Sequence, residues 1–167
     1  MDGKTRILGI DPGLNITGYS VLDTDGRDFV LVEGGIVRSK RKDSFERRLQ
    51  EIYEGLTEVI QRLKPDCAGL EELYSHYANP TTAIIMGHAR GVICLACAQC
   101  KVPVNHYAAT QIKKIMTGNG RAPKSQVQLA VASYLNLDSI PEPADVADAA
   151  AIAICHHFLA SRPTSIL

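Results

Sequence analysis

Asp11, Glu71, Glu72, Asp145 and Asp148 are the residues whose types and settings are suited to chemistry. Asp11 ends the apolar run Arg6–Asp11 (RILGID) and is followed by Pro12-Gly13, a turn signal. A strand end opening onto a turn is where α/β sheets place functional groups, although Asp also favours such turns as a cap. Glu71 follows the short strand pattern Asp66–Leu70. If that strand lies beside the first, Asp11 and Glu71 converge at neighbouring strand ends. Side chains alternate along a strand, so Glu71 and Glu72 face opposite ways, and spacing does not decide which of them joins Asp11. Asp145 and Asp148 stand three apart in a helical pattern, on one face and separated by a rise of about 4.5 Å. The helix dipole alone accounts for an acid at Asp145. Asp148 lies against Ala149-Ala150-Ala151-Ile152-Ala153-Ile154, where an unpaired carboxylate is costly to bury. A metal ion or a basic partner would offset that cost. Four converging carboxylates make a hard, oxygen-rich site suited to Mg²⁺ or Mn²⁺. With two ions about 3.5–4 Å apart, such a site hydrolyses phosphodiesters: one ion activates water and the other stabilises the leaving oxygen.

The elements that must position these residues are readable from periodicity. Three strand patterns, Arg6–Asp11, Thr17–Leu22 and Phe29–Val37, are joined by short turns and imply an antiparallel start to a sheet. Ser44–Leu63 carries Phe45, Leu49, Ile52, Leu56, Val59, Ile60 and Leu63 at helical spacing, and Pro65 stops that helix. Asp66–Leu70 reads as a strand, Thr81–Cys100 as a long apolar helix, and Lys101–Tyr107 as another strand. Ala109–Met116, Ser125–Leu135 and Ala144–Leu159 read as helices, with a Gly-rich loop over Thr117–Pro123. The order β-β-β-α-β-α-β-α-α-α predicts an α/β fold, a ribonuclease-H-like mixed sheet flanked by helices. It predicts a single domain over residues 1–167, with its core in about 6–160. Strand order within the sheet is not readable from pattern.

Charge is balanced, with 18 basic and 18 acidic residues, which argues against a protein that coats nucleic acid by bulk attraction. Its distribution is not even. No Asp or Glu occurs from Leu73 to Leu137, a stretch that holds Arg90, Lys101, Lys113, Lys114, Arg121 and Lys124. A second basic cluster, Arg38, Lys40, Arg41 and Lys42, precedes the first long helix. Such segregation presents a positive face to a polyanion. Around the loop, glycines let backbone N–H groups approach phosphate, with Lys113, Arg121 and Lys124 nearby. The first residues lack the apolar core of a signal peptide, and no apolar run reaches the roughly 18 residues that span a bilayer. The expectation is a cytoplasmic protein with no membrane contact.

Other signals carry less chemistry. Cys94, Cys97 and Cys100 form CxxCxxC inside an apolar helix, where residues three apart drift around the axis, and buried thiols are expected. His156-His157 are expected as favourable charges near a helix C-terminus. The helix Thr81–Cys100 has more apolar residues than one face needs, which fits either a dimer surface or burial between sheet and helices.

Taken together, several segments resemble the RuvC family of bacterial Holliday-junction resolvases. They are Ile10-Asp11-Pro12-Gly13 with Thr17-Gly18-Tyr19, Leu70-Glu71, Gly87-His88-Ala89-Arg90-Gly91 and Tyr107-Ala108. Gln111-Ile112-Lys113, Gly118-Asn119-Gly120, Lys124-Ser125-Gln126-Val127 and Ala144-Asp145-Val146-Ala147-Asp148-Ala149 continue the series in family order. The resemblance implies a Mg²⁺-dependent endodeoxyribonuclease that resolves four-way DNA junctions by paired symmetric nicks in recombination and repair. It implies a homodimer working with a branch-migration complex of the RuvA and RuvB type. Two Mg²⁺ per subunit (or Mn²⁺ as a substitute) would be held by Asp11, Glu71, Asp145 and Asp148, which prefers Glu71 over Glu72. Lys113 and Lys124 match basic positions near the scissile phosphates. Lys114, Arg121 and Arg90 join them as candidate DNA contacts, and Tyr74 matches an aromatic, often Phe, that stacks on a junction base. His88 stands where Gln is common in the family. The usual basic tail is nearly absent from Arg162–Leu167, which implies weaker general DNA affinity.

Two other classes compete. A catalytically silent junction-binding adaptor on the same fold is disfavoured by the presence of all four acids. A phosphotransferase of the sugar-kinase and actin type wants a second domain to clamp nucleotide, for which 167 residues leave no room.

Overall fold

The computed structural model describes residues 3–73 and 79–160. The elements are β1 (Thr5–Asp11), β2 (Ile16–Thr24), β3 (Phe29–Arg38), α1 (Phe45–Leu63) and β4 (Cys67–Glu71). They continue with α2 (Pro80–Gln99), β5 (Val104–Tyr107), α3 (Ala109–Thr117), α4 (Lys124–Tyr134) and α5 (Ala144–Ala160). This is the expected order. Local chemistry explains both ends of α1. The Ser44 hydroxyl accepts from Arg47 N at 3.3 Å and opens α1, while Lys64 in the left-handed region closes it just before Pro65. The strand expected over Lys101–Tyr107 begins instead at Val104. Lys101 turns the chain at φ 59°, and Pro103 has no N–H to give a ladder.

The sheet order is β3-β2-β1-β4-β5. β1, β2 and β3 are antiparallel neighbours, whereas β4 and β5 extend β1 in parallel through the crossover helices α1 and α2. Each face of the sheet has its own core. Leu8, Ile10, Tyr19, Val21, Ala68 and Leu70 point toward α1 and α2. Ile7, Leu22, Phe29 and Tyr107 point toward α3, α4 and α5.

α2 is not buried on all sides. Ala89, Ile93, Ala96 and Cys97 pack inward, while Ile84 and Leu95 are 61% and 49% exposed. Full burial between sheet and helices, one of the two expectations for this helix, is therefore set aside. By length and composition α2 is also apolar enough to cross a membrane, with a mean hydropathy of 1.4. That corrects the sequence expectation that no segment is.

Candidate active site

Two strand ends and one helix build the site. β1 and β4 run parallel with Ile10 opposite Leu70, so Asp11 and Glu71, the next residues along, stand at adjacent carboxyl ends. Alternation places Gly9 and Asp11 on the same face as Gly69 and Glu71. That face is the one covered by α5, because a Cβ on Gly9 would meet Ala149 and one on Gly69 would meet Ile152. Glu71, not Glu72, therefore lines a cavity of about 340 Å³ together with Asp11 and Asp148.

α5 reaches the strands because two glycines let it. A Cβ at Gly9 would stand 1.9 Å from the Ala149 carbonyl oxygen, and one at Gly18, opposite Asp11 in β2, 2.4 Å from that of Asp145. No side chain fits either gap. The helix lies on bare backbone, and its own residues there are mostly Ala. Nearly every residue from Val146 to His156 is buried. Asp148 breaks that run: its side chain keeps 19% exposure and opens into the cavity.

The acids strain one another. Burial first, and then the charges of Glu71, Asp148 and Asp145, push the Asp11 carboxyl up to about 7, against the pull of Lys124. Glu71 is raised as well, by burial and by Asp148, while Lys113, Lys124 and Arg90 oppose the rise. Lys113 and Lys124 line the same cavity from α3 and from the first residue of α4. Lys124 Nζ lies 2.5 Å from Asp148 Oδ2, and this bond raises the ammonium's pKa. Asp145 acts on Asp11 through charge but does not line the cavity. Among the described residues no three His, Cys, Asp or Glu side chains sit close enough to hold a metal as they stand. The donor set nevertheless suits a hard cation. Carboxylates that raise one another's pKa are relieved by positive charge, and here a lysine supplies part of it.

Other candidate residues fall at varied distances. Arg90 donates from Nε to the Glu71 carbonyl at 2.9 Å and meets His106 Nδ1 at 2.8 Å through Nη2, so much of its guanidinium is spent inside the protein. Lys114 and Arg121 are exposed and stand outside the cavity lining. The Gly-rich loop departs from expectation, because most of its amides already have partners. Gly118 N bonds Lys114 O, Asn119 N bonds Thr117 Oγ1, Arg121 N bonds Asn119 Oδ1, and Ala122 N bonds Asn119 O. Few N–H groups remain there to cradle phosphate. Tyr74 lies outside the described residues. His88 packs edge-on against Phe45 of α1.

Two sets of residues escaped sequence reasoning. Gly9 and Gly18 read as weak strand residues, and a strand glycine was the signal that another backbone comes close. His156 was expected as a helix-end charge but is buried at 4% exposure, bonded to Tyr107 and held toward the neutral form by burial. His157, its neighbour, packs edge-on against Phe29 instead.

A mixed sheet in this order, with acids at adjacent parallel strand ends and a helix closing over them, defines a ribonuclease-H-like α/β protein with an acidic strand-end site. Residues 7–156 match the family model described as crossover junction endodeoxyribonuclease RuvC. A RuvC from Rhodopirellula baltica is 60% identical over 157 residues, covering 94% of this chain and 88% of that protein. The structure of Thermus thermophilus RuvC superposes with a TM-score of 0.87 at 32% identity, covering 94% of this chain and 96% of that one. The structure of T. thermophilus RuvC in complex with Holliday junction substrate also gives 0.87, at 30% identity, covering 96% and 98%. The chain belongs to the RuvC family of crossover junction endodeoxyribonucleases.

Proposed function

We propose that this protein resolves four-way DNA junctions by metal-assisted hydrolysis of phosphodiesters, nicking two like strands symmetrically in recombination and repair. The observation that carries the reading is the meeting of Asp11, Glu71 and Asp148 in one cavity walled by Lys113 and Lys124. Asp11, Glu71, Asp145 and Asp148 are the residues that would hold Mg²⁺, two ions per subunit, or Mn²⁺ in its place. When bound, such ions supply an activated water and offset charge on the leaving oxygen.

The chain's own residues do the rest. Burial keeps bulk water from screening the carboxylates, so their field on an approaching cation is strong. Lys113 and Lys124 attract the scissile phosphate and hold its oxygens through charge-assisted hydrogen bonds. To do so Lys124 leaves Asp148, which frees that carboxylate. The exposed Lys114 and Arg121 extend the positive rim along the DNA path. Arg90 steadies the end of β4 from within, through the Glu71 carbonyl.

A two-fold junction calls for two related sites, and a homodimer supplies them. The exposed apolar groove between α1 and α2, lined by Leu49 of α1 and by Ile84, Val92 and Leu95 of α2, is the surface we propose for it. We place the protein in the cytoplasm, working with a branch-migration complex on the same junction. The reading is tested by incubating a synthetic mobile four-way junction with the purified protein in Mg²⁺ and in EDTA. Paired, symmetric, Mg²⁺-requiring nicks are expected. Tight binding without nicks in Mg²⁺ and in Mn²⁺ would replace the nuclease with an adaptor.

A further inference from the structure

Tyr107 closes β5, and His156 lies eight residues beyond Asp148 on α5. Both are buried, at 5% and 4% exposure. The Tyr107 hydroxyl stands 2.8 Å from His156 Nδ1, and the rings meet edge to face with centroids 5.8 Å apart. Their surroundings are apolar: Ile7, Cys155 and Ile152 share this core, and the partly buried Cys67 packs against it. Burial pushes the Cys67 and Cys155 thiols up to about 11 and about 12, so neither brings a charge to the pair.

Two apolar side chains of similar volume would fill this space without desolvating an imidazole and a phenol. The position of the pair explains its polarity. Tyr107 stands opposite Glu71 in the parallel β4–β5 register, and its carbonyl accepts from Glu72 N at 2.9 Å. Its backbone thus holds the strand end that carries Glu71. Its side chain crosses to α5, the helix that carries Asp148. A methyl group at Gly69, two residues before Glu71, would lie 3.3 Å from His156 Cβ, so the histidine is seated directly on β4. Tyr107 also leads into α3 through Ala108, whose N–H is capped by Gln111 Oε1 at 2.8 Å, and α3 carries Lys113.

An apolar contact tolerates sliding, whereas a hydrogen bond fixes both a distance and a direction. We propose that the Tyr107–His156 hydrogen bond is a positioning contact of the active site, locking α5 against the β4–β5 strand ends so that Asp148 and Glu71 keep one separation. Neither residue touches substrate. They act through the carboxylates, and the proposal rests on the reading of those carboxylates as the metal site.

The experiment compares wild type, Tyr107→Phe and the double variant Tyr107→Phe/His156→Leu. Mn²⁺ binding is measured by calorimetry on the protein alone, and Mg²⁺ dependence by junction cleavage. Thermal stability and junction binding in EDTA are measured alongside. Tyr107→Phe is expected to weaken Mn²⁺ binding roughly 10-fold, the range for removing a group that orients a metal ligand. The half-saturating Mg²⁺ should rise by the same factor, with junction binding in EDTA unchanged. The double variant removes the unpartnered imidazole, so it should regain stability while its Mn²⁺ affinity stays weak. Recovery of stability and metal affinity together, or unchanged Mn²⁺ binding in both variants, would overturn the positioning role. Wild-type protein that binds no Mn²⁺ would overturn the carboxylate reading itself, and the positioning role with it.

Discussion

Strand β1 carries a charge near each end, and the two ends treat charge in opposite ways. At its start, Arg6 meets Asp23 of β2 through two bonds, Nε to Oδ1 at 2.7 Å and Nη2 to Oδ2 at 2.8 Å, and its Nη1 caps the Leu63 carbonyl at the end of α1. The guanidinium holds the Asp23 carboxyl below its usual range. At the other end Asp11 is surrounded by burial and like charge and is pushed up to about 7. The same residue type is matched at one end and strained at the other. Charge spent on stability is paired within the fold. Charge kept for chemistry is left short of a partner that arrives from outside.

The sharpest break of this comparison is Asp11→Asn. It should lower Mg²⁺-dependent cleavage on the order of 10³-fold, by analogy with the loss of one preorganised electrostatic group. In the absence of metal it should also raise the melting temperature, because one member of a repelling cluster is gone. Junction-cleavage rates and calorimetric scans check the two halves. A variant that is both inactive and less stable would show that Asp11 is matched after all.

Gly9 tests how far the strained end depends on the close approach of α5. Gly9→Ala places a methyl against the Ala149 carbonyl, 1.9 Å away, with backbone that cannot yield. A loss of roughly 3 kcal/mol is expected, the upper range for overpacking, read from denaturant midpoints. Gly91 of α2 is the control, since nothing stands within 4 Å of a Cβ there. Gly91→Ala should stabilise the helix by up to about 1 kcal/mol. Gly91 also lines the groove proposed for the dimer, so destabilisation there would place it inside that contact, while stabilisation would leave it clear of the partner.

Gly9 and Gly18 also mark where sequence reading stops. The elements were legible because periods of two and of three to four are local, and Ser44, Pro65 and Pro12-Gly13 punctuate them. Strand order was not, because β1 meets β4 across more than fifty intervening residues, and nothing local records a pairing. Asp11 and Asp148 stood out as polar residues against apolar runs. The choice of Glu71 over Glu72 needed either a family pattern or the fact that Gly69 faces α5. His156 was misread for a related reason: position along a helix says where a residue falls, not what the facing strand offers it. The loop around Gly120 was harder to read because Thr117 and Asn119, residues that bond their own backbone, take up some of its amides.

Lys124 sits between matched and strained charge. It is the partner Asp148 has before any cation arrives. Lys124→Ala should slow cleavage roughly 100-fold, the lower end for the loss of one preorganised charge-stabilising donor. Mn²⁺ binding to the protein alone should hold or tighten, because a competitor for Asp148 is removed. Calorimetric titration decides. Weaker Mn²⁺ binding would mean that the lysine organises the carboxylates rather than standing in for an ion.

The matched end gives the smallest effect and a sign that can be checked. Asp23 titrates lower in the folded chain than in the unfolded one, so its pairing with Arg6 contributes in full above the ordinary carboxyl range near 3.8. That contribution drains away as pH falls through the lower folded value. Both side chains keep some exposure, 34% for Arg6 and 23% for Asp23, so solvent screening limits the pair to on the order of 1 kcal/mol. Asp23→Asn should therefore cost about that much at pH 7 and progressively less below pH 4, with wild type and variant converging in acid. Urea midpoints taken from pH 7 down to pH 2.5 test it. Cleavage at neutral pH should be untouched, since this bond lies at the end of β1 away from the cavity. A loss of cleavage without a loss of stability would show that the two ends of the strand are coupled, and that pairing at the start of β1 helps hold the strain at its end.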